Sequence, residues 1–205
     1  MNQKTAMKLF GLLGLLMLLS CGYADRHRNS SSCEQALVDS LEVRVQDSLF
    51  SNLPYSRSLL RNAMRQAQDS MSYYRLMGLY GKTFFISSDF DSILYYNRPV
   101  KEYDKCAAAC PRWNDVLSDV YNIEGNVWMQ LNQPDSAVAY YEKSYAYRLK
   151  GEKGHLLSDI CMNLADAHLH RGELAHTASY YRRALFICDS LHLSEHSKFP
   201  VYCGL

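Results

Sequence analysis

Two histidines and a glutamate near the end of the chain have a spacing that can bind zinc. The letters HLSEH at 192–196 match the H-x-x-E-H pattern of one metalloprotease class. On a helix His192 and His196 lie one turn apart and can share a metal, with the glutamate as general base. A catalytic zinc also needs a third protein ligand in a folded cleft, and nine residues follow the run. We therefore interpret the match as chance and predict no metal site.

The seven cysteines form no pattern that indicates a metal site or a nucleophile. Cys106 and Cys110 lie one helical turn apart, but zinc would require two further ligands at matched spacing. Cys161 and Cys188 fall at the same end of one predicted hairpin, which leaves a disulfide or two buried thiols open, and we favour thiols. The sequence shows no phosphate-binding loop, catalytic triad or nucleophile elbow. We predict a non-enzymatic protein with no catalytic residue and no cofactor.

The first 20 residues have the order of charges and apolar residues that is typical of a secretory signal peptide. Lys4 and Lys8 precede an apolar run of about 11 residues, which is too short to cross a bilayer. The letters LLSC at 18–21 resemble the lipoprotein signal, which implies that Cys21 carries lipid in the mature chain. We predict a signal peptide at 1–20, a membrane anchor at Cys21, a flexible tether at 21–32, and localisation in the bacterial cell envelope.

The charge balance argues against nucleic acid as a partner. The chain has 22 basic and 21 acidic residues, and removal of the leader takes away Lys4 and Lys8 and leaves 20 basic residues. Nucleic-acid-binding domains usually present a strongly basic face. The near-neutral chain therefore predicts no nucleic-acid partner and no electrostatic docking on a membrane beyond the lipid.

Two stretches of the chain, 119–148 and 159–188, are copies of each other at an offset of 40 positions. Each copy has an amphipathic run, a short turn and a second run, which together predict a helical hairpin. An internal repeat of this length in a helical pattern predicts a stack of hairpins. The aligned pairs include Gly125 with Ala165, Asn132 with Gly172, Tyr140 with Tyr180, and Tyr141 with Tyr181.

The two copies resemble the tetratricopeptide repeat. That family has a small residue in the first helix, an aromatic residue three positions later, and a small-aromatic-small series in the second helix. The first copy supplies Gly125, Trp128, Ala137, Tyr141 and Ser144, and the second supplies Ala165, Thr177, Tyr181 and Ala184, with His168 at the aromatic position. The resemblance covers residues 112–190 and implies an all-α fold, a right-handed α-solenoid of antiparallel helix hairpins. The usual period is about 34, and other hairpin families with periods of about 40–47 remain open on period alone.

The rest of the chain extends this organisation in both directions. Apolar residues at 37, 41, 45 and 49 predict one seam of a helix, and Pro99 is expected to kink or end the helix that contains it. The predicted segments are an N-terminal helical pair at 33–70, a degenerate hairpin at 71–105, hairpins at 112–149 and 153–190, and an incomplete helix or frayed tail at 191–205.

The resemblance also implies a binding site. In the family the first helices line a concave groove that binds extended peptides or a partner helix, and the groove residues here would be Asn122, Asn126, Met129, Asn163, Asp166 and His170. Asparagine suits such a groove because its amide both donates and accepts hydrogen bonds. We predict a peptide-binding module anchored by lipid on Cys21. The alternative is the truncated sensory, ligand-binding region of a two-component-type membrane signalling protein, because the array stops inside what would be its next repeat.

Overall fold

The computed structural model describes residues 34–103 and 110–192, and no described residue lies in a strand. The prediction of an all-α fold is therefore confirmed. No helix in these two ranges has the length and apolar character needed to cross a membrane. The predicted signal peptide, the tether, Cys21, Cys106 and residues 193–205 lie outside the described ranges. The helices are α1 (34–48), α2 (Leu53–Gln66), α3 (Ser70–Lys82), α4 (Phe90–Glu102), α5 (Pro111–Gln130), α6 (Pro134–Arg148), α7 (Leu157–His170) and α8 (Leu174–Ser190).

Local sequence signals account for several of the helix starts. The Asp69 and Asp89 side chains cap α3 and α4 by accepting hydrogen bonds from backbone N–H groups three residues later. These bonds satisfy donors that a helix leaves free in its first turn. Pro111 and Pro134 begin α5 and α6, where the missing N–H of proline costs no helical hydrogen bond. Two short 3₁₀ helices, Thr83–Ser87 and Gly154–Leu156, follow α3 and precede α7.

The turns after α5 and α7 have the same backbone structure at an offset of 40 positions. Asn132 and Gly172 both have positive φ, at 55° and 76°, a conformation that asparagine and glycine adopt most readily. In each turn the next N–H donates to a carbonyl five residues earlier, from Gln133 to Trp128 at 2.8 Å and from Glu173 to His168 at 2.9 Å. This bond is the mark of a Schellman helix end. The two copies therefore share their turn geometry as well as their residue pattern.

Contacts at increasing distance from the turn show that α5 and α6 run antiparallel. The Tyr141 hydroxyl donates to Asn126 Oδ1 at 2.7 Å. Farther from the turn, the Ser118 and Ser144 hydroxyls lie 3.0 Å apart, and each donates to the other residue's backbone carbonyl at 2.9 Å. At the far end Arg148 reaches Asp115. The two serines bring the backbones close, and their mutual hydrogen bonds satisfy both buried hydroxyls.

Asp115 and Arg148 form a buried ion pair that also holds the loop before α7. Arg148 Nη1 lies 2.8 Å from Asp115 Oδ1, and a second Arg148 nitrogen contacts Asp119. The Asp115 carboxylate accepts the backbone N–H groups of Glu152 and Lys153 at 2.9 Å and 3.2 Å. A buried charge is tolerated when it is paired and hydrogen-bonded in this way. The loop therefore enters α7 along a path set by one carboxylate of α5.

The core consists of apolar clusters that pass from each helix to the next along the chain. The N-terminal cluster joins α1, α2 and α3 through Val38, Leu41, Val45, Leu60, Leu76 and Tyr80. Two C-terminal clusters join α6, α7 and α8 and include Tyr141, Ile160, Leu164, Cys161, Ala165 and Tyr181. Each helix thus buries its apolar face against its sequence neighbours.

Two local details differ from the predictions: residue 37 of the α1 seam, and the expected end of a helix at Pro99. Leu37 is exposed and Val38 is buried in its place, because each four-residue step around an α-helix advances the side chain by about 40° and carries the seam off one face. Pro99 lies inside α4, which continues to Glu102. Any other residue at position 99 would donate its N–H to the carbonyl of Tyr95, whose side chain is exposed. We infer that water takes the place of this donor in the last turn of α4, so the helix tolerates the proline.

Candidate functional site

The predicted groove residues meet in one cleft between α5 and α7. Five of the six, Asn126, Met129, Asn163, Asp166 and His170, line a cleft of about 280 Å³, together with Phe85, Gln130, Tyr141 and Leu169. We call it the α5–α7 cleft. Its lining combines amides, one carboxylate and an imidazole with aromatic and aliphatic side chains. Such a mixture can pair with polar groups of a ligand and bury its apolar parts.

The sixth predicted residue, Asn122, is attached to the cleft by a hydrogen bond. Asn163 Nδ2 donates to Asn122 Oδ1 at 2.9 Å, so the amides of α5 and α7 are joined directly. Both side chains are half-buried. The bond uses one donor of Asn163 and leaves its carbonyl oxygen able to accept from a ligand. Asn122 therefore orients Asn163 and does not itself line the cleft.

Two buried tyrosines support the cleft from the second helices. The Tyr141 hydroxyl donates to Asn126, and the Tyr181 hydroxyl donates to Asp166. Both tyrosines are buried. Burial raises the pKa of Tyr141, with a further increase from the charge of Asp166. Burial and the same carboxylate raise the pKa of Tyr181 to about 12. Both phenols therefore stay neutral and act as donors at physiological pH.

These two hydrogen bonds are equivalent in the two copies. Tyr141 follows Asn126 by 15 positions, and Tyr181 follows Asp166 by the same number. Each tyrosine therefore fixes the rotamer of one polar side chain on the cleft wall. The same geometry therefore presents an amide, Asn126, in the first copy and a carboxylate, Asp166, in the second.

A second recess lies beside the first half of α5 and differs in chemistry. Its small and apolar lining residues are Gly78, Leu79, Val116, Val120 and Ile123. Its lining also includes charged side chains of α1, α3 and α5. Arg75, which is buried, lies 2.7 Å from Asp39 and 3.4 Å from Glu42. Lys153 lies 2.7 Å from Glu42. These ion pairs connect α1 to α3 and to the loop before α7, so many of the charged groups beside this recess are paired with one another.

Sequence reasoning missed four residues of the cleft. Gln130 and Leu169 lie one helical turn from Asn126 and Asp166, so helical spacing could have found them. Tyr141, which matches the aromatic position of the second helix, is buried in the core and also reaches the cleft. Phe85 belongs to the 3₁₀ helix after α3, and no local pattern links it to α5 and α7.

Other residues considered from the sequence do not join the cleft. Cys161 and Cys188 are buried free thiols in the structure. His192 ends the described part of the chain, and His196 lies beyond it. Within the described ranges, one group of three metal-ligating side chains comes together, at the turn between α7 and α8, and it contains no residue of the cleft.

The comparisons with known proteins give a weak structural likeness and no sequence match. No protein-family model matches the chain, and no curated protein matches it. Among solved structures, the chain is similar to one described as "Crystal structure of BtubC (BKLC) from P. vanneervenii", with 16% sequence identity and a TM-score of 0.39. The likeness covers 78% of this chain and 82% of that chain. A likeness of this degree carries no argument about function.

Proposed function

We propose that this protein is a non-enzymatic module that binds an extended peptide segment of a partner protein in the α5–α7 cleft. In this proposal the helices form a right-handed solenoid of tetratricopeptide type, and the cleft belongs to its concave face. Lipid on Cys21 anchors the module at the bacterial cell envelope. The observation that carries the proposal is the convergence of five predicted groove residues on one cleft.

The chemistry of the cleft supports a peptide as the ligand. An extended peptide offers backbone N–H and C=O groups, and the Asn126 and Asn163 amides can pair with both. Met129, Leu169 and Phe85 provide apolar surface for side chains. The tyrosine hydrogen bonds hold Asn126 and Asp166 before a ligand arrives, which reduces the entropy lost on binding. Asp166 is the single carboxylate of the cleft lining, so hydrogen bonds and shape are expected to contribute most of the recognition.

A site-specific crosslinker tests the binding half of the proposal. A photoreactive phenylalanine at Gln130, which is exposed on the cleft, should crosslink to a partner in intact cells. The same group at Arg98 is the control, because that side chain is 79% exposed on α4 and does not line the cleft. Asn163→Ala should remove the crosslink from position 130. Equal crosslinking from both positions, or no effect of the alanine variant, would contradict a partner in the cleft.

The anchor requires its own experiment. The intact mass of the chain purified from membranes should show cleavage before Cys21 and the addition of lipid. Cys21→Ser should move the protein out of the membrane fraction, because stable attachment depends on acyl chains. An unacylated chain in the soluble fraction of wild-type cells would contradict the anchor and leave the cleft proposal to be judged by crosslinking.

A further inference from the structure

The turn between α7 and α8 brings together two imidazoles and a carboxylate. Glu173 Oε2 lies 2.6 Å from His168 Nδ1 and 3.8 Å from His176 Nδ1. The ligand atoms of all three residues lie within 4.8 Å of one another. His168 is buried, Glu173 is half-buried and His176 is exposed. One side of the group is therefore fixed in the protein, and the other is open to solvent.

The Schellman turn explains why these three side chains meet. His168 stands in the last turn of α7, Glu173 directly precedes α8, and His176 is in the first turn of α8. The tight turn folds the two helix ends together. The His168 ring stacks on His176, with centroids 5.0 Å apart, and on Tyr180 at 5.3 Å. This packing holds the buried imidazole of His168, and His176 remains exposed to solvent.

The other copy has the same turn without the ligands. The residues 40 positions earlier are Trp128, Gln133 and Ser136, none of which is a usual zinc ligand. The helix ends and the backbone hydrogen bonds are the same in both copies. The histidines and the glutamate are therefore not required to build this turn.

The distances are close to those of a zinc site. Ligand atoms of a tetrahedral zinc, each about 2.0–2.1 Å from the metal, lie about 3.3 Å from each other. The two measured distances to Glu173 Oε2 fall on either side of that value. Arg171 Nη2 lies 2.9 Å from Glu173 Oε1 and orients the carboxylate, as partners of metal ligands commonly do. Shifts of about 0.5–0.7 Å in these two distances, with a rotation of His176 that brings the two imidazole nitrogens together, would complete the arrangement.

We propose that His168, Glu173 and His176 bind one Zn²⁺, with water in the fourth position. The metal takes the place of the proton between His168 Nδ1 and Glu173 Oε2, and the neutral His168 imidazole then carries its single N–H proton on Nε2. Two imidazoles and a carboxylate form a ligand set that zinc accepts readily. The proposal is independent of peptide binding, because none of the three residues lines the α5–α7 cleft.

Calorimetric titration of the full chain with ZnCl₂ tests the proposal. Glu173→Gln and His176→Ser each place the residue of the other copy at this turn, so both variants should fold. Each should weaken zinc binding by at least about tenfold. His155→Asn is the matched control, because His155 is exposed and lies outside the group, and it should leave the affinity unchanged.

X-ray absorption at the zinc edge separates this site from the cysteines. The proposed site predicts nitrogen and oxygen neighbours at about 2.0–2.1 Å, whereas a cysteine site gives sulfur at about 2.3 Å. A sulfur shell, equal affinity in the wild type and both variants, or no binding of zinc would overturn the proposal. Crosslinking from position 130 would remain informative about the cleft in each of these cases.

Discussion

The hydroxyl of Tyr141 donates a hydrogen bond of 2.7 Å to Oδ1 of Asn126. This bond joins the buried face of α6 to the cleft wall of α5. Its counterpart 40 positions later joins Tyr181 to Asp166. A residue that fills the core therefore also orients a residue of the candidate binding site.

Removal of one hydroxyl should show how much the Tyr141–Asn126 hydrogen bond stabilises the fold. Tyr141→Phe keeps the ring and removes the donor, and we expect a loss of about 0.5–1.5 kcal/mol in the free energy of unfolding. Urea denaturation measures the loss. Tyr95→Phe is the control, because Tyr95 is 72% exposed and should change stability by less than about 0.5 kcal/mol. Equal effects at the two positions would show that the hydrogen bond contributes nothing.

Gly125 should not tolerate a side chain. A Cβ at this position would lie 2.4 Å and 2.5 Å from Cε1 and Cδ1 of Tyr141. Gly125→Ala should therefore destabilise the protein by about 1–3 kcal/mol, although alanine favours a helix by about 1 kcal/mol. Equilibrium unfolding should also show a smaller cost in a Tyr141→Leu background, because the clashing ring is gone. A stabilised Gly125→Ala variant would contradict the close approach of α5 and α6.

The buried ion pair of Asp115 and Arg148 should be sensitive to loss of one partner. Arg148→Met leaves the Asp115 carboxylate buried with two backbone donors, and we expect a loss of about 3–5 kcal/mol. Arg98→Ala removes an exposed pair with Glu102 and should cost less than about 1 kcal/mol. Thermal or urea unfolding compares the two variants. Similar small losses would mean that Arg148 is solvated in solution.

Glu124 should make stability depend on pH. The residue is buried, one oxygen has no hydrogen-bond partner, and the other lies 2.7 Å from Lys101 Nζ. Burial raises the pKa of Glu124 above its usual 4.5, against the opposing effect of Lys101. A carboxyl with a raised pKa in the folded state favours folding when it is protonated, and this contribution is lost as pH rises through the folded pKa.

Glu124→Gln tests this dependence because it removes the titration. The stability of the wild type relative to the variant should fall as the pH rises from 4.5 toward neutrality. Denaturant unfolding at a series of pH values gives the difference. A constant difference, or a relative gain of the wild type with rising pH, would contradict the raised pKa.

Cys161 should react slowly in the folded protein. Burial raises the pKa of its thiol to about 11, so about one molecule in a thousand carries the thiolate at pH 8. In a variant with Cys161 as its single cysteine, iodoacetamide should react slowly in buffer and quickly in urea. A variant that keeps only the half-buried Cys110 provides the comparison. Equal rates in buffer and urea would contradict burial.

Sequence patterns were sufficient for the helical class and for the turns of the two copies. The residues that end α5 and α7, Asn132 and Gly172, act through their own backbone preferences. The resemblance to the tetratricopeptide repeat, with residues counted along the helices from Gly125 and Ala165, implied six groove residues, and the cleft contains five of them. The signals for the helices and the turns act within a few residues of the chain, so they can be read without knowledge of the fold.

The tertiary structure decided which distant surfaces meet. Phe85 enters the α5–α7 cleft from another part of the chain, and Lys153 pairs with Glu42 at a separation of 111 positions. His168, Glu173 and His176 share no recognised metal-binding spacing, yet the folded turn brings their ligand atoms together. Periodicity reports which face of a helix is apolar, and capping residues report where the helix begins and ends. They do not report which partner that face finds, because the choice depends on the packing of all the helices together.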